Sequence, residues 1–455
     1  MARRNRTLRR AQKKDLITRY RRVFRWLLPG LVVKRWMFTS ALGLLIAIIG
    51  ISIWADLKPI YWTIEILNWL LSLIQTFLPR IIIGPLVLMS GAGILLWGQS
   101  RSFGSIQDAL VPDKETVLID ALRAKSKLNR GPTIVAIGGG TGLSTLLSGL
   151  KRHSSRITAI VTVADDGGSS GILRRELGVQ PPGDIRNCLA ALSTEEPLLT
   201  RLFQYRFSAG SGLEGHSFGN LFLSALSAIT GSLETAITAS SRVLSVQGQV
   251  VPATNVDVRL WAELENGQRL EGESAIGKAP SPIVRMGCLP ENPPALPRAL
   301  EAIANAELIV LGPGSLYTSL LPNLLVPELV VAIQKSSAPK LYICNLMTQP
   351  GETDGLDVGG HLRAIEAQLA SLGIGKRLFG AVLAQDEMGP SPLIDYYRAR
   401  GARPVLCDIN ALHSQGYEVM QAPLQGRRPT ATLRHDPRSL SLAIMRFYRQ
   451  YKRDI

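Results

Sequence analysis

The stretch Thr133–Gly171 reads TIVAIGGGTGLSTLLSGLKRHSSRITAIVTVADDGGSSG, and the order of its residue types decides the fold. The β-branched apolar run Thr133–Ile137 predicts a strand. Three glycines, Gly138, Gly139 and Gly140, predict a turn. Thr141 and Gly142 then open the apolar-periodic segment Leu143–Leu150, which predicts a helix. A second apolar run, Ile157–Val163, ends on Ala164 and the polar loop Asp165–Ser170. Strand, glycine turn, helix, strand and polar loop form the first half of a parallel α/β nucleotide-binding unit. Glycines lack a Cβ, so backbone N–H groups can approach an anion at a helix start, where the dipole favours negative charge.

Working outward, the chain of 455 residues has room for two or three domains. Its net charge of +16 is unevenly spread. Residues 1–35 hold 13 Lys/Arg against Asp15, a contribution of +12, and the other 420 residues contribute +4. The basic character therefore belongs to a tail, and the body is not expected to bind a specific nucleic acid. Cys188, Cys288, Cys344 and Cys407 are scattered, with no zinc spacing and no disulfide framework, which fits a reducing compartment.

Residues 36–55, WMFTSALGLLIAIIGISIWA, and 81–100, IIIGPLVLMSGAGILLWGQS, are each 20 uncharged residues. Each is long enough for a helix to cross the bilayer core, and Trp36 and Trp54 flank the first. Between them Pro59–Pro79 is apolar but carries Glu65, Asn68 and Gln75, and reads as an interfacial helix or outer connection. The basic tail places the N-terminus inside, and two spans return the chain to the cytoplasm. The tail also reads as a partner for anionic lipids. Residues 101–131 are a charged connector with one helix expected over Lys114–Lys127.

The body, 132–450, reads as a Rossmann-like, doubly wound and mostly parallel sheet. Further helices are expected over Gly171–Leu177, Leu198–Phe207, Leu221–Ile229 and Val358–Leu372. Asp184 is placed as the N-cap of Ile185–Ser193. A small β-rich insertion is expected at about 242–290. Later strands are expected at Leu308–Leu311, Lys340–Cys344, Phe379–Leu383 and Pro404–Cys407.

In such a sheet ligands bind outside the carboxyl ends of the strands, and the unusual motifs all fall there. The glycine loop Gly138–Gly142 lacks the spacing of a dinucleotide fingerprint and the lysine of a P-loop. Asp165 and Asp166 could meet a ribose hydroxyl, Mg²⁺ or an acceptor hydroxyl, or could solvate the loop and cap the next helix. Ser169 and Ser170 share that loop. In PPGDIRN, Asp184, Arg186 and Asn187 offer a phosphate contact through the guanidinium, or an ordinary capped helix. His216 and Asn220 lie in a glycine-framed loop and read equally as ligand-binding or core groups. Gly312, Gly314 and Ser315 form a second anion loop. Asn345, Thr348 and Gln349 tip a buried strand. Arg434–His435–Asp436 either returns a charge to the same cleft or lies on the surface.

IGGGTGLS, ADDGGSSG, PPGDIRNCL, EGHSFGNL, GPGSLYTSLLPNLLVP and NLMTQPGET occur in this order over residues 130–450. Together they resemble the bacterial gluconeogenesis-factor family (YvcK-type), related to the 2-phospho-lactate transferases of coenzyme F420 synthesis. The resemblance implies a Rossmann-like fold, a nucleotide-sugar ligand such as UDP-N-acetylglucosamine, and a role in cell shape and cell-wall growth under gluconeogenic conditions. It matches the loop at 138–142 and the Asp165/Asp166 pair to the transferase relatives' nucleotide and acceptor side, and places Arg434 in the family's C-terminal RHD segment. Two readings follow. One is a membrane-anchored, cytosol-facing nucleotide-sugar-binding regulator, with membrane lipids and cell-wall synthesis proteins as partners and a homo-oligomeric assembly. The other is a Mg²⁺-dependent transferase of a phosphoryl-linked group, with Asp165 and Asp166 as catalytic and metal-binding residues.

Overall fold

The structure is a computed structural model that describes residues 126–455 except 195–196, 376, 389–390, 427–431 and 455, together with the helix Lys58–Gln75 and scattered positions between 42 and 94. The basic tail, most of both expected spans, and the connector up to residue 125 lie outside the described residues. The chain divides into two units, Met1–Arg123 and Ala124–Ile455.

In the first unit Lys58–Gln75 is helical, as its apolar sequence predicts, and exposes Tyr61, Trp62 and Trp69. Among the described residues no single helix is long and apolar enough to cross a membrane. The bent pair Leu316–Leu324 and Pro327–Lys335 has the composition, but its Leu321, Leu324, Leu329 and Ile333 are buried in the second unit's core.

The second unit is built on a seven-stranded sheet. Its strands are β1 (Ile134–Gly138), β2 (Ile157–Val161), β3 (Gln249–Pro252), β7 (Leu308–Leu311), β8 (Lys340–Ile343), β9 (Ala381–Gln385) and β10 (Glu418–Ala422). Their order is β10-β9-β8-β7-β1-β2-β3, and every pairing is parallel. Ile134 lies opposite Ile157 on one side and Leu308 on the other. A parallel strand buried on both faces favours apolar residues on both, which is why IVAIG and LIVL are unbroken runs and ITAIV is interrupted only by the β-branched Thr158. Alternate residues feed two cores: Val135, Ile137, Ile309 and Leu311 pack on one face, and Ile134, Ala136, Leu308 and Val310 on the other.

From β1 the sheet grows one way through β2 and β3, and the other way through β7 to β10. The direction reverses between β1 and β7, and that switch point opens a crevice at the strands' carboxyl ends.

Three expectations shift. The small antiparallel sheet β5-β4-β6 comprises β4 (Arg259–Leu264), β5 (Arg269–Glu271) and β6 (Ile283–Leu289). It is narrower than the expected 242–290, because Leu233–Val243 is a helix and Gln249–Pro252 extends the main sheet beside β2. Pro404–Cys407 is not a strand; Pro404 only bridges to Met347. The edge position belongs to β10, whose EVMQA is partly exposed and so lacks the apolar run that marks a buried strand.

Candidate functional site

Helix α1 (Gly140–Leu150) springs directly from β1, with Gly139 extended at its N-cap. Its first turn carries Gly142 because the GPGS loop passes against it: a Cβ there would stand 2.2 Å from the carbonyl oxygen of Pro313. The two glycine loops, after β1 and after β7, therefore touch at the switch point.

Between them is a cleft of about 250 Å³. Gly139, Gly140, Thr141, Gly142, Gly314, Ser315, Asn345 and Arg434 all line it, as do Thr145, Ser319, Gln349, Tyr397 and His435. Segments more than 290 residues apart in the chain thus meet at one rim. Gly138 and Gly312 sit at the strand ends beneath it and are not among the lining residues.

Thr348 is buried and structural: it exchanges hydrogen bonds with the Arg403 backbone through its N–H (2.7 Å) and Oγ1 (2.8 Å). Ser315 Oγ donates to Gln349 Oε1 at 2.7 Å, and Gln349 Nε2 donates to Glu352 Oε1 at 2.6 Å. Glu352 also accepts from the Tyr317 N–H and from Thr318 Oγ1. Burial pushes that carboxyl up to about 7. The Ser315 loop runs into a wide π-helical turn, Leu316–Leu320, a form that often marks functional sites. Burial pushes His435 down to about 4, so its ring is neutral at pH 7 beside the exposed cation of Arg434.

The remaining expected residues form an adjoining cluster. Helices α2 (Gly168–Leu177) and α3 (Gly183–Leu192) bring in the DDGGSS and GDIRN segments, and α4 (Phe218–Thr230) brings in Asn220. Asn220 Nδ2 donates to Ser169 Oγ (3.1 Å) and Ser170 Oγ (3.4 Å), and Ser169 Oγ pairs with His216 Nδ1 at 3.0 Å. All four are buried, and Asn220 Oδ1 has no partner. Asp165 Oδ1 accepts from the Gly167 N–H, and Asp166 Oδ1 accepts from the Ser274 N–H at 2.8 Å, fastening the small sheet's connection to the acidic loop. Arg186 donates to Asn187 Oδ1 at 2.9 Å. Its guanidinium pKa is lowered by burial and by Arg206 beside it.

Asp184 departs from its expected role. The helix starts at Gly183 with Pro182 at its cap, so Asp184 is not the N-cap. Its buried carboxyl is pushed up to about 6 by burial and by Asp165, and it does not line the cleft.

Glu273, which carries no motif in the sequence, joins the acidic group. Burial and then Asp165, Asp166, Asp184 and Glu352 push it up to about 8. Only the fold could reveal it, since it lies over 100 residues from the Asp165 loop. Among the described residues no three His, Cys, Asp or Glu side chains gather to hold a metal ion.

The 2-phospho-L-lactate transferase CofD family matches residues 134–425. A Nostoc sp. relative described as a gluconeogenesis factor is 55% identical over 425 residues, covering 93% of this chain and 92% of its own. The gluconeogenesis factor of Bacillus subtilis is 47% identical over 309 residues, 68% of this chain and 96% of its own. A crystal structure of a Bacillus halodurans protein superposes with a TM-score of 0.65 at 47% identity, covering 70% of this chain and 99% of that one. With a CofD-type domain across most of its length and relatives of this identity, the chain belongs to the gluconeogenesis-factor (YvcK-type) family.

Proposed function

We propose that this chain is a membrane-tethered, cytosol-facing factor that binds a nucleotide sugar of the UDP-N-acetylglucosamine kind and serves cell morphogenesis and cell-wall growth under gluconeogenic conditions. The observation that carries the binding half is the cleft between the loops Gly139–Gly142 and Pro313–Ser315 at the switch point. A diphosphate suits the N-terminus of α1, where backbone N–H groups and the helix dipole converge. Arg434 adds a cation at the rim, and Asn345, Gln349 and Tyr397 offer polar edges to a base or sugar. The tether rests on the two uncharged stretches at 36–55 and 81–100 and on the basic tail before them.

The acidic group favours a second reading, transfer of a phosphoryl-linked group. Glu273, at about 8, holds its proton at neutral pH beside Asp165 and Asp166, which supplies a proton donor within the acidic group. Asp165, Asp166 and the neighbouring serines are hard oxygen donors that suit Mg²⁺, which needs only one or two carboxylates beside water and phosphate. Bound there, Mg²⁺ would offset the negative charge of carboxylates and phosphate.

Calorimetric titration with UDP-N-acetylglucosamine and with GDP, each with and without Mg²⁺, tests both readings. UDP-sugar-selective binding without product supports the sensor. Mg²⁺-dependent GDP binding without UDP-sugar binding moves the assignment to the transferase. Loss of product with retained binding in Asp165→Asn would do the same.

A further inference from the structure

We infer that the face of the α/β unit opposite the cleft docks on an anionic membrane leaflet. The inference rests on the membrane-tether reading and adds a second, electrostatic attachment to it.

Because all seven strands of the main sheet are parallel, the loops sort into two ends. The carboxyl ends carry the cleft. The amino ends gather the segment before β1, the segment before β2, Glu307 before β7, and the last turns of the C-terminal helix α5 (Pro437–Asp454).

These segments are bonded together. The Ser155 N–H donates to the Leu128 carbonyl at 3.0 Å, and Ser155 Oγ donates to Asn129 Oδ1 at 2.7 Å. Arg156 donates to the Gly131 carbonyl and pairs with Glu307 at 2.8 Å, and Lys452 reaches Glu307 at 3.4 Å. Burial disfavours protonation of His153, and the nearby cations Arg449, Arg152 and Lys127 add to that effect.

Lys127, Arg130, Arg152, Arg156, Arg449 and Lys452 are all exposed. Among the described residues Glu307 is the carboxylate bonded to this group, and it serves two of the six cations. The rest face solvent as surplus positive charge.

Charge complementarity and chain position select the occupant. This face receives the chain from the N-terminal side: residue 126 lies here, and the uncharged stretch 81–100 ends 25 residues before it. Fully extended, 25 residues reach at most roughly 80–90 Å, so a leaflet holding the stretch 81–100 lies within the chain's reach of this face. Cations near a leaflet rich in acidic lipids are drawn to it. The tail at 1–35 carries +12, the same sign. Docking by this face turns the cleft away from the lipid and toward soluble ligands.

The Bacillus halodurans protein consists of this unit over 99% of its length and folds alone, so residues 126–455 can be tested by themselves. The probe is sedimentation with vesicles of phosphatidylcholine and phosphatidylglycerol, against phosphatidylcholine alone. Binding is expected only to the anionic vesicles, weakening with salt. It should fall by the order of a hundredfold in Lys127→Gln/Arg152→Gln/Arg449→Gln, with thermal stability kept. Indifference to phosphatidylglycerol, binding that survives the triple substitution, or tighter binding to duplex nucleic acid at the same salt each overturns the proposal. Salt washing of membranes holding the full chain separates the two claims. A full chain that stays on membranes while the isolated unit ignores vesicles keeps the tether and removes the docking face, whereas a full chain released by salt whose isolated unit binds anionic vesicles removes the tether and keeps the docking face.

Discussion

The carboxyl group of Asp184 lies beneath the glycine loop and accepts a hydrogen bond from the backbone N–H of Gly140. A Cβ on Gly139 would stand 2.5 Å from Asp184 Oδ2, so the loop's glycine and the buried acid exclude any larger residue from each other's space. The arrangement places a titrating group at the start of α1, where a diphosphate is proposed to sit. Protonated, Asp184 leaves the helix dipole free for the ligand; ionised, it competes for it.

Asp184→Asn should therefore be stabilising at alkaline pH. The folded-state pKa of about 6 stands above the ordinary 3.8, so the folded protein holds this proton more tightly than the unfolded chain. Stability from this group is present at low pH and lost as pH rises from about 4 through about 6, a change of about 3 kcal/mol. Asparagine keeps the acceptor and removes the charge. Melting temperatures of variant and parent should converge at pH 4 and separate by a few degrees at pH 8, the variant higher. The opposite order at pH 8 would show that the ionised carboxylate is worth keeping.

Glu273→Gln isolates the acidic cluster. Its folded pKa, about 8 against 4.5, again lies above the unfolded value. The parent should lose stability as pH rises from about 5 through 8, as the proton leaves a half-buried group beside Asp165 and Asp166. The glutamine variant should show a flatter melting profile over that range. Equal slopes in the two proteins would place the charge elsewhere.

Gly142→Ala tests the contact between the two glycine loops. The added methyl meets the Pro313 carbonyl at 2.2 Å, so one loop must move. A destabilisation of about 1–3 kcal/mol and at least a tenfold loss of nucleotide-sugar affinity are expected. Gly178→Ala is the matched control: its φ is +65° with open space around it, so it should cost about 1 kcal/mol and leave binding intact. Calorimetry and thermal melts on both variants decide the point.

Arg434→Ala removes an exposed cation from the rim of the cleft. Affinity for a diphosphate ligand should drop by roughly tenfold to a hundredfold, about 1.5–3 kcal/mol, with the fold untouched. Unchanged affinity would mean that the phosphates lie away from the rim.

Much of this molecule is legible in its sequence because the signals are local. A strand buried on both faces is rich in apolar and β-branched residues, so β1, β2, β7 and, after its first residue Lys340, β8 announce themselves. The glycine loops are marked by their composition, and so are their places at strand ends. β10 escapes notice, since an edge strand with Glu418 and Gln421 resembles a surface loop. Pro404–Cys407 misleads for the converse reason: it is apolar enough for a strand, yet it makes one isolated bridge, to Met347, and joins no ladder of the sheet.

What the sequence alone determined is the alternation of strand, glycine turn and helix, because side-chain periodicity and glycine chemistry act over a few residues. Which distant groups share a space follows from packing alone. The reversal of strand order between β1 and β7 sets the Gly139 and Pro313 loops face to face. Packing of α3 turns Asp184 under Gly140, where a capping role was expected. The small sheet delivers Glu273 to Asp165 and Asp166. Burial and neighbouring charge then set the protonation of Asp184 and Glu273, and both depend on distances that no run of neighbouring residues encodes.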